Sequence, residues 1–263
     1  MATRRSTIII ADDFTGACDT GVHLARPGAP VTVLVWPRTT GARSVLRRDG
    51  ALVVDTETRH VPVETARSRL STVLRSVAAD ADIIYKKIDS TLRGNIAAEV
   101  AAVAGAYPDR GIVVAPAYPA AGRTTVNGVC LVHGVPVHDT EFARDRRFPV
   151  PSSRIADLFP RRARSGRVPS AGRGAAALLN TLAAGEVLIL DAETDAELDA
   201  IAAAATSMER PPILVGSAGL AEAIARSVSA ADLSSSAHRD RHADSALFER
   251  IDCRRPVLGL LGS

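Results

Sequence analysis

Two adjacent carboxylates, Asp12 and Asp13, directly follow the apolar run Ile8-Ile9-Ile10-Ala11. Farther along, Ile83-Ile84-Tyr85 leads into Lys86-Lys87-Ile88-Asp89-Ser90-Thr91-Leu92-Arg93-Gly94-Asn95, the densest collection of unlike polar groups in the chain. A third stretch, Pro119-Ala120-Ala121-Gly122-Arg123-Thr124-Thr125, comes soon after Ile112-Val113-Val114-Ala115. Arginine forks a carboxylate or phosphate, aspartates accept from hydroxyls or take their protons, and lysine adds charge, so the three sets together suit a hydroxylated anion. Each also has a plainer reading. The Lys86–Asn95 stretch could be a capped strand-to-helix turn, and Asp13 could cap the helix that follows it.

All three stretches end an apolar run that reads as a buried parallel strand. The carboxyl ends of parallel strands share one edge, and open α/β sheets bind ligands there. Strands are expected at 6–11, 31–36, 51–55, 82–86, 111–115, 186–190 and 213–216, with helices at 17–25, 62–77, 92–106, 174–183, 195–206 and 219–228. This alternation predicts a three-layer α/β/α fold with a mainly parallel sheet. Leu131-Val132-His133-Gly134-Val135 predicts a β-hairpin excursion, and the charged, proline-bounded segment 140–151 an excursion over the surface. The basic cluster 161–167 reads as a solvated loop, because it lacks the aromatics that stack nucleic-acid bases. Residues 229–247 read as a linker and 248–263 as the first strand of a further domain, leaving 1–228 as the main one.

Composition narrows the classes. The chain has 263 residues, 46% hydrophobic and 23% charged, with a net charge of +3, which is ordinary for a globular protein and gives no case for a nucleic-acid or membrane partner. Cys18, Cys130 and Cys253 are odd in number and widely spaced, which argues against a disulfide framework or a zinc site and for a reducing cytoplasm. No signal-peptide core or membrane-length apolar run is present. Gly16 to Gly21 has P-loop glycine spacing, but Val22-His23 stand where Lys and Ser/Thr are required, and no G-x-G-x-x-G follows a strand. The aspartates are contiguous, not the Asp-x-Asp-x-Thr of aspartate phosphatases. His23, His133 and His138 are isolated, and no cluster has metal-ligand spacing.

The segments Ile10–Gly21, Lys86–Asn95, Ala117–Thr125 and Gly216–Ala221 resemble the signature segments of the four-carbon acid sugar kinase family, which includes threonate, erythronate and 3-oxo-tetronate kinases. The resemblance implies a substrate-binding domain followed by a nucleotide-binding domain, with ATP and Mg²⁺ phosphorylating a hydroxyl of a four-carbon sugar acid in the cleft between them. It places Asp12, Asp13, Lys87, Asp89, Ser90, Arg93 and Arg123 in the acid's pocket, with no catalytic residue assigned. Within that set Arg93 and Arg123 are expected on the carboxylate, Arg93 as the main anchor, and the aspartates on hydroxyls. Because the family continues beyond the equivalent of Ser263, this chain is expected to hold the substrate-binding part, to lack most of the ATP site, and to be inactive alone; a separately encoded nucleotide-binding half would be its partner. The alternative is a non-catalytic sugar-acid or interaction module that needs a partner chain. Neither the stereoisomer nor the oligomeric state follows from the sequence.

Overall fold

The fold follows from runs of β-branched residues too apolar to face water on either side. The computed structural model describes residues 5–25, 30–37, 50–77, 81–159, 163–168 and 174–233. Strands β1 (Thr7–Ala11), β3 (Ala51–Asp55), β4 (Ile83–Lys87), β5 (Ile112–Ala115), β10 (Val187–Asp191) and β11 (Ile213–Gly216) are buried at every position. With β2 (Val31–Val35) and β9 (Ala163–Arg167) they form an eight-stranded sheet of order β2-β3-β1-β4-β11-β5-β10-β9, parallel throughout. The pleat sends alternate residues to opposite faces. One face, with Ile8, Ile10, Leu52, Val54 and Ile84, packs against α2 (Val63–Val77) and α3 (Ile96–Ala106). The other, with Ile9, Val53, Tyr85 and Leu214, packs against α1 (Phe14–Ala25), α4 (Gly174–Leu179), α5 (Asp195–Ser207) and α6 (Ala218–Leu233). The three-layer α/β expectation therefore holds.

The chain lays β2 and β3 to one side of β1, then crosses to β4 on the other. The strand order reverses between β1 and β4, and the crevice at such a reversal is where doubly wound sheets take ligands. The loops after β1 and β4 carry Asp12-Asp13 and Asp89–Arg93.

A second, antiparallel sheet of β6 (Arg123–Val126), β7 (Val129–Val132) and β8 (Val135–Pro136) includes the expected hairpin around His133-Gly134. It has another turn that the sequence reading passed over, at Asn127-Gly128, with φ of 51° and 72°. Asn-Gly supplies the two positive φ angles that a tight hairpin turn requires. Asp191, at the end of β10, accepts both N–H groups of that turn, from Asn127 at 2.7 Å and Gly128 at 2.8 Å, and fixes the small sheet to the large one.

Three expectations need correction. The helix expected from Leu92 begins at Ile96, because Leu92 and Gly94 have φ of 63° and 96° and cannot be helical. The solvated loop expected over 161–167 is, from Ala163 on, the edge strand β9, with exposed Arg167 paired to Glu193 at 3.0 Å. The helix expected to end at 228 continues to Leu233, and the rest of the expected linker and final strand lies outside the described residues.

Candidate functional site

The register places Ala11 beside Asp55 on one side and Lys87 on the other, so β1, β3 and β4 deliver their polar ends at one level. The centre of the cluster is a residue that the sequence reading missed. Arg59, in the loop after β3, donates through Nε to Asp12 Oδ2 at 2.7 Å and through Nη2 to Asp12 Oδ1 at 2.8 Å. It also donates through Nη1 to Asp13 Oδ2 at 2.7 Å and through Nη2 to Asp13 Oδ1 at 2.9 Å. One guanidinium thus holds both carboxylates, in the planar fork geometry that arginine provides. Despite its burial, these carboxylates push its pKa up.

The capping reading of Asp13 holds, since its Oδ1 also accepts the Gly16 N–H at 3.0 Å at the start of α1. Gly16 makes room for both side chains: a Cβ there would lie 2.6 Å from Asp13 Oδ1 and 2.9 Å from Lys87 Nζ and would displace them. The Lys87 side chain is buried, and its ammonium donates to Ile88 O at 3.0 Å. Burial, reinforced by nearby Arg59, lowers its pKa against the opposing pull of Asp12 and Asp13.

The loop after β4 closes over this cluster. Gly94 packs so near that an added Cβ would come within 3.3 Å of Arg59 Cγ and 3.4 Å of Asp12 Oδ2. Asn95 Nδ2 ties the loop to its neighbour by donating to Thr58 O at 2.8 Å and Val61 O at 2.9 Å. Asp89 is gripped by Arg93, with Nε 2.7 Å from Oδ2 and Nη2 3.1 Å from Oδ1, and also accepts from the Thr91 hydroxyl. Burial works against its charge, but the bonds from Arg93 and the charge of Arg59 prevail and hold its pKa down to about 2. Arg93 therefore commits its Nε–Nη2 edge to Asp89, with its Nη1 3.6 Å from Asp145 Oδ2 and the Phe142 ring 5.2 Å from its guanidinium carbon.

Arg123 belongs to the hairpin side, and Cys130 joins that side to Ser90 of the β4 loop. Cys130, on β7, lies 3.4 Å from Ser90 O, and its thiol is pushed up to about 12 by burial and by the charge of Asp89, against that of Arg123. Arg123 donates through Nη1 to Ala121 O, while its Nε is buried without a partner. Of the seven expected residues, Asp12, Asp13, Lys87, Asp89 and Arg93 fall in a single charged network, and Ser90 and Arg123 adjoin it through Cys130.

Two more residues escaped the sequence reading. Asp55 is fully buried; its Oδ1 accepts from Glu57 N at 2.9 Å, its Oδ2 has no partner, and burial raises its pKa to about 6. Glu99 of α3 lies 2.7 Å from the Lys86 ammonium, with side chains 1% and 0% exposed. The signal available for Arg59 and Asp55 was position alone: both sit at or just past the end of β3, on the edge already singled out for β1 and β4.

A parallel sheet with a charged cluster at its reversal point defines a doubly wound α/β domain. The match to known families is specific: residues 7–224 fit the family described as the sugar-binding N-terminal domain, and the chain belongs to it. A D-threonate kinase of Salmonella typhimurium is 42% identical over 229 residues, covering 82% of this chain and 52% of that protein. A D-erythronate kinase of Heliobacterium modesticaldum is 35% identical over 209 residues, covering 75% and 47%. The chain spans about half the length of the curated relatives it matches. Among solved structures, a domain of unknown function from Bordetella bronchiseptica, a domain-swapped dimer with bound citrate, superposes with a TM-score of 0.74 at 33% identity, over 84% of this chain and 55% of that one. The resemblance to four-carbon acid sugar kinases seen in the motifs is thus matched by the names of these relatives. Among the described residues no helix is long and apolar enough to cross a membrane.

Proposed function

We propose that this domain binds a four-carbon sugar acid in the crevice between β1 and β4 and presents one of its hydroxyls for phosphorylation by ATP. The observation that carries the reading is a surplus of uncommitted donors beside carboxylates that are already paired. Lys87 spends one of its three N–H groups on Ile88 O, Arg123 Nε has no partner, and Arg59 has used four of its five N–H groups. Such a site asks for a ligand rich in acceptors, and a polyhydroxy carboxylate is one. The names of the relatives support the same class, and so does the citrate, itself a hydroxylated carboxylate, in the Bordetella protein.

In this reading Arg123, as expected, and Lys87 take the carboxylate, while Arg93 commits its Nε–Nη2 edge to Asp89. Asp12 and Asp13, held by Arg59, and Ser90 face the hydroxyls. ATP supplies the phosphoryl group, and transfer then depends on positioning and charge stabilisation. Among the described residues no three His, Cys, Asp or Glu side chains converge on a metal. A Mg²⁺ ion would arrive on the nucleotide phosphates and need one or two protein carboxylates. Asp13, whose side chain is 24% exposed against 2% for Asp12, is the carboxylate that would meet it. The nucleotide is held by a separate domain facing this edge, in the cytoplasm, and the domain described here does not turn over alone.

Calorimetric titration of the 263-residue chain with D-threonate, D-erythronate and a 3-oxo-tetronate tests the binding half, and heat is expected with at least one. No heat with any of them overturns it. A coupled ADP-release assay on the same panel tests the other half, and turnover by this chain would overturn the need for a second domain.

A further inference from the structure

The excursion over 140–151 has a fixed base and a stiff tip. At the base Val137 and Val150 are buried, Thr140 Oγ1 donates to Val137 O at 2.6 Å, and Val150 N donates to Phe142 O at 3.1 Å. In the tip Asp145 Oδ1 accepts from Arg147 N and Phe148 N, each at 2.9 Å. The contacts between the tip and the loops around the charged network are of a weaker kind. Arg93 Nη1 stands 3.6 Å from Asp145 Oδ2, longer than a good hydrogen bond, and the Arg93 guanidinium carbon lies 5.2 Å from the Phe142 ring. The Arg93 and Asp145 side chains are 27% and 24% exposed, so water screens their charges. On the other side the Phe148 and His60 rings meet at 5.7 Å between centroids.

Arg93 belongs to the loop after β4 and His60 to the loop after β3, and β1, with Asp12-Asp13 at its end, lies between those two strands. The tip therefore reaches from one side of the β1 end to the other. A stiff tip on a fixed base, held down by a screened ion pair and two ring contacts, is built to lift as one piece. Arg144, Arg146 and Arg147 are exposed on it, while Asp145 meets Arg93, so an anion in the crevice draws the tip shut. We propose that residues 142–148 form a lid at the crevice, latched by Phe142 and Asp145 on Arg93 and by Phe148 on His60, which lifts to admit an anionic ligand and closes on it.

The ligand in this inference rests on the pocket reading given above, whereas the motion of the lid is read without any ligand. In the ligand-free 263-residue chain, NMR relaxation dispersion of the 142–148 amides is expected to show one shared exchange process that β7 lacks. Phe142→Ala/Phe148→Ala is expected to raise the open population at least tenfold. Tip amides without exchange in both chains describe a fixed wall and overturn the lid. The second arm follows binding of D-threonate, D-erythronate or a 3-oxo-tetronate, ¹³C-labelled, by line shape. A ligand that enters and leaves through the open state is limited by the latches in both directions, so the double variant is expected to raise the association and dissociation rates at least threefold each while Kd stays within threefold. A dissociation rate that rises alone, carrying Kd with it, makes the two rings part of the pocket and overturns the lid, as do two unchanged rates. Arg144→Gln/Arg146→Gln/Arg147→Gln is expected to speed dissociation at least threefold, and an unchanged rate overturns the pull on the anion. If no acid binds, the pocket reading fails, and the ligand-free measurement still decides the lid.

Discussion

Lys86 and Lys87 are neighbours at the end of one strand, yet the pleat sends them into different layers and gives them opposite jobs. Lys86 points toward α3, fully buried, and its three donors are all used: on Glu99 at 2.7 Å, on Lys87 O at 2.8 Å and on Ile10 O at 3.3 Å. It ties together the ends of β1 and β4 and the first turns of α3. Lys87 points toward α1, has one carbonyl for its three donors, and stands among Asp12, Asp13 and Asp89 with its charge partly disfavoured. A buried ammonium with every donor matched holds a fold together, whereas one with donors to spare beside charged neighbours fits the proposed ligand contact.

The sharpest way to break this contrast is Lys86→Met. It leaves the Glu99 carboxylate buried and unpaired, and is expected to cost about 3–5 kcal/mol in urea unfolding. The double variant Lys86→Met/Glu99→Met should regain most of that loss, since an apolar pair replaces a buried ion pair at little cost. A single variant within about 1 kcal/mol of wild type would show that the pair holds nothing.

The contrast extends to carboxylates. Asp89, paired, is held at about 2, so its contribution to stability is complete above about pH 4 and disappears as pH falls through 2. Asp55, buried with one oxygen unpaired, is raised to about 6. Between about pH 4 and 6 the folded chain keeps a proton that the unfolded chain releases, so stability declines across that window and stays lower above it. Asp55→Asn should therefore stabilise by about 2 kcal/mol at pH 8 and by almost nothing at pH 3.5, as read from thermal melts. Equal shifts at both pH values would show that the carboxyl titrates normally.

The smallest effect on the fold belongs to Lys87→Met. Its melting temperature should stay within a few degrees of wild type while affinity for the four-carbon acid falls about tenfold, a loss of about 1.4 kcal/mol. A variant that melts far lower but binds as tightly would reverse the roles of the two lysines.

The strand-and-helix alternation was legible because a parallel strand covered on both faces has to be apolar along its whole length, as Thr7–Ala11 and Val187–Asp191 nearly are. The start of α3 was not, because Leu92-Arg93-Gly94-Asn95 looks helical until Gly94 is drawn against Arg59 by tertiary packing. Arg59 itself stands 46 and 47 positions from the aspartates it holds, and only the pairing of β1 with β3 brings it to them. The division of labour between Lys86 and Lys87 was half visible. Period-two alternation says that they part, but which one meets a partner depends on where Glu99 falls on a helix that packs against only one face.

Cys130 gives the crevice a built-in reporter. Its sulfur lies between the hairpin and Ser90 at the back of the ligand loop, 1% exposed and with a thiol that resists ionisation until about pH 12. A thiol reagent has to wait for the hairpin to lift, and the thiolate is the species that reacts. The rate of alkylation at this one position therefore measures how often the wall of the crevice opens, and a ligand that bridges loop and hairpin slows that clock without touching the sulfur.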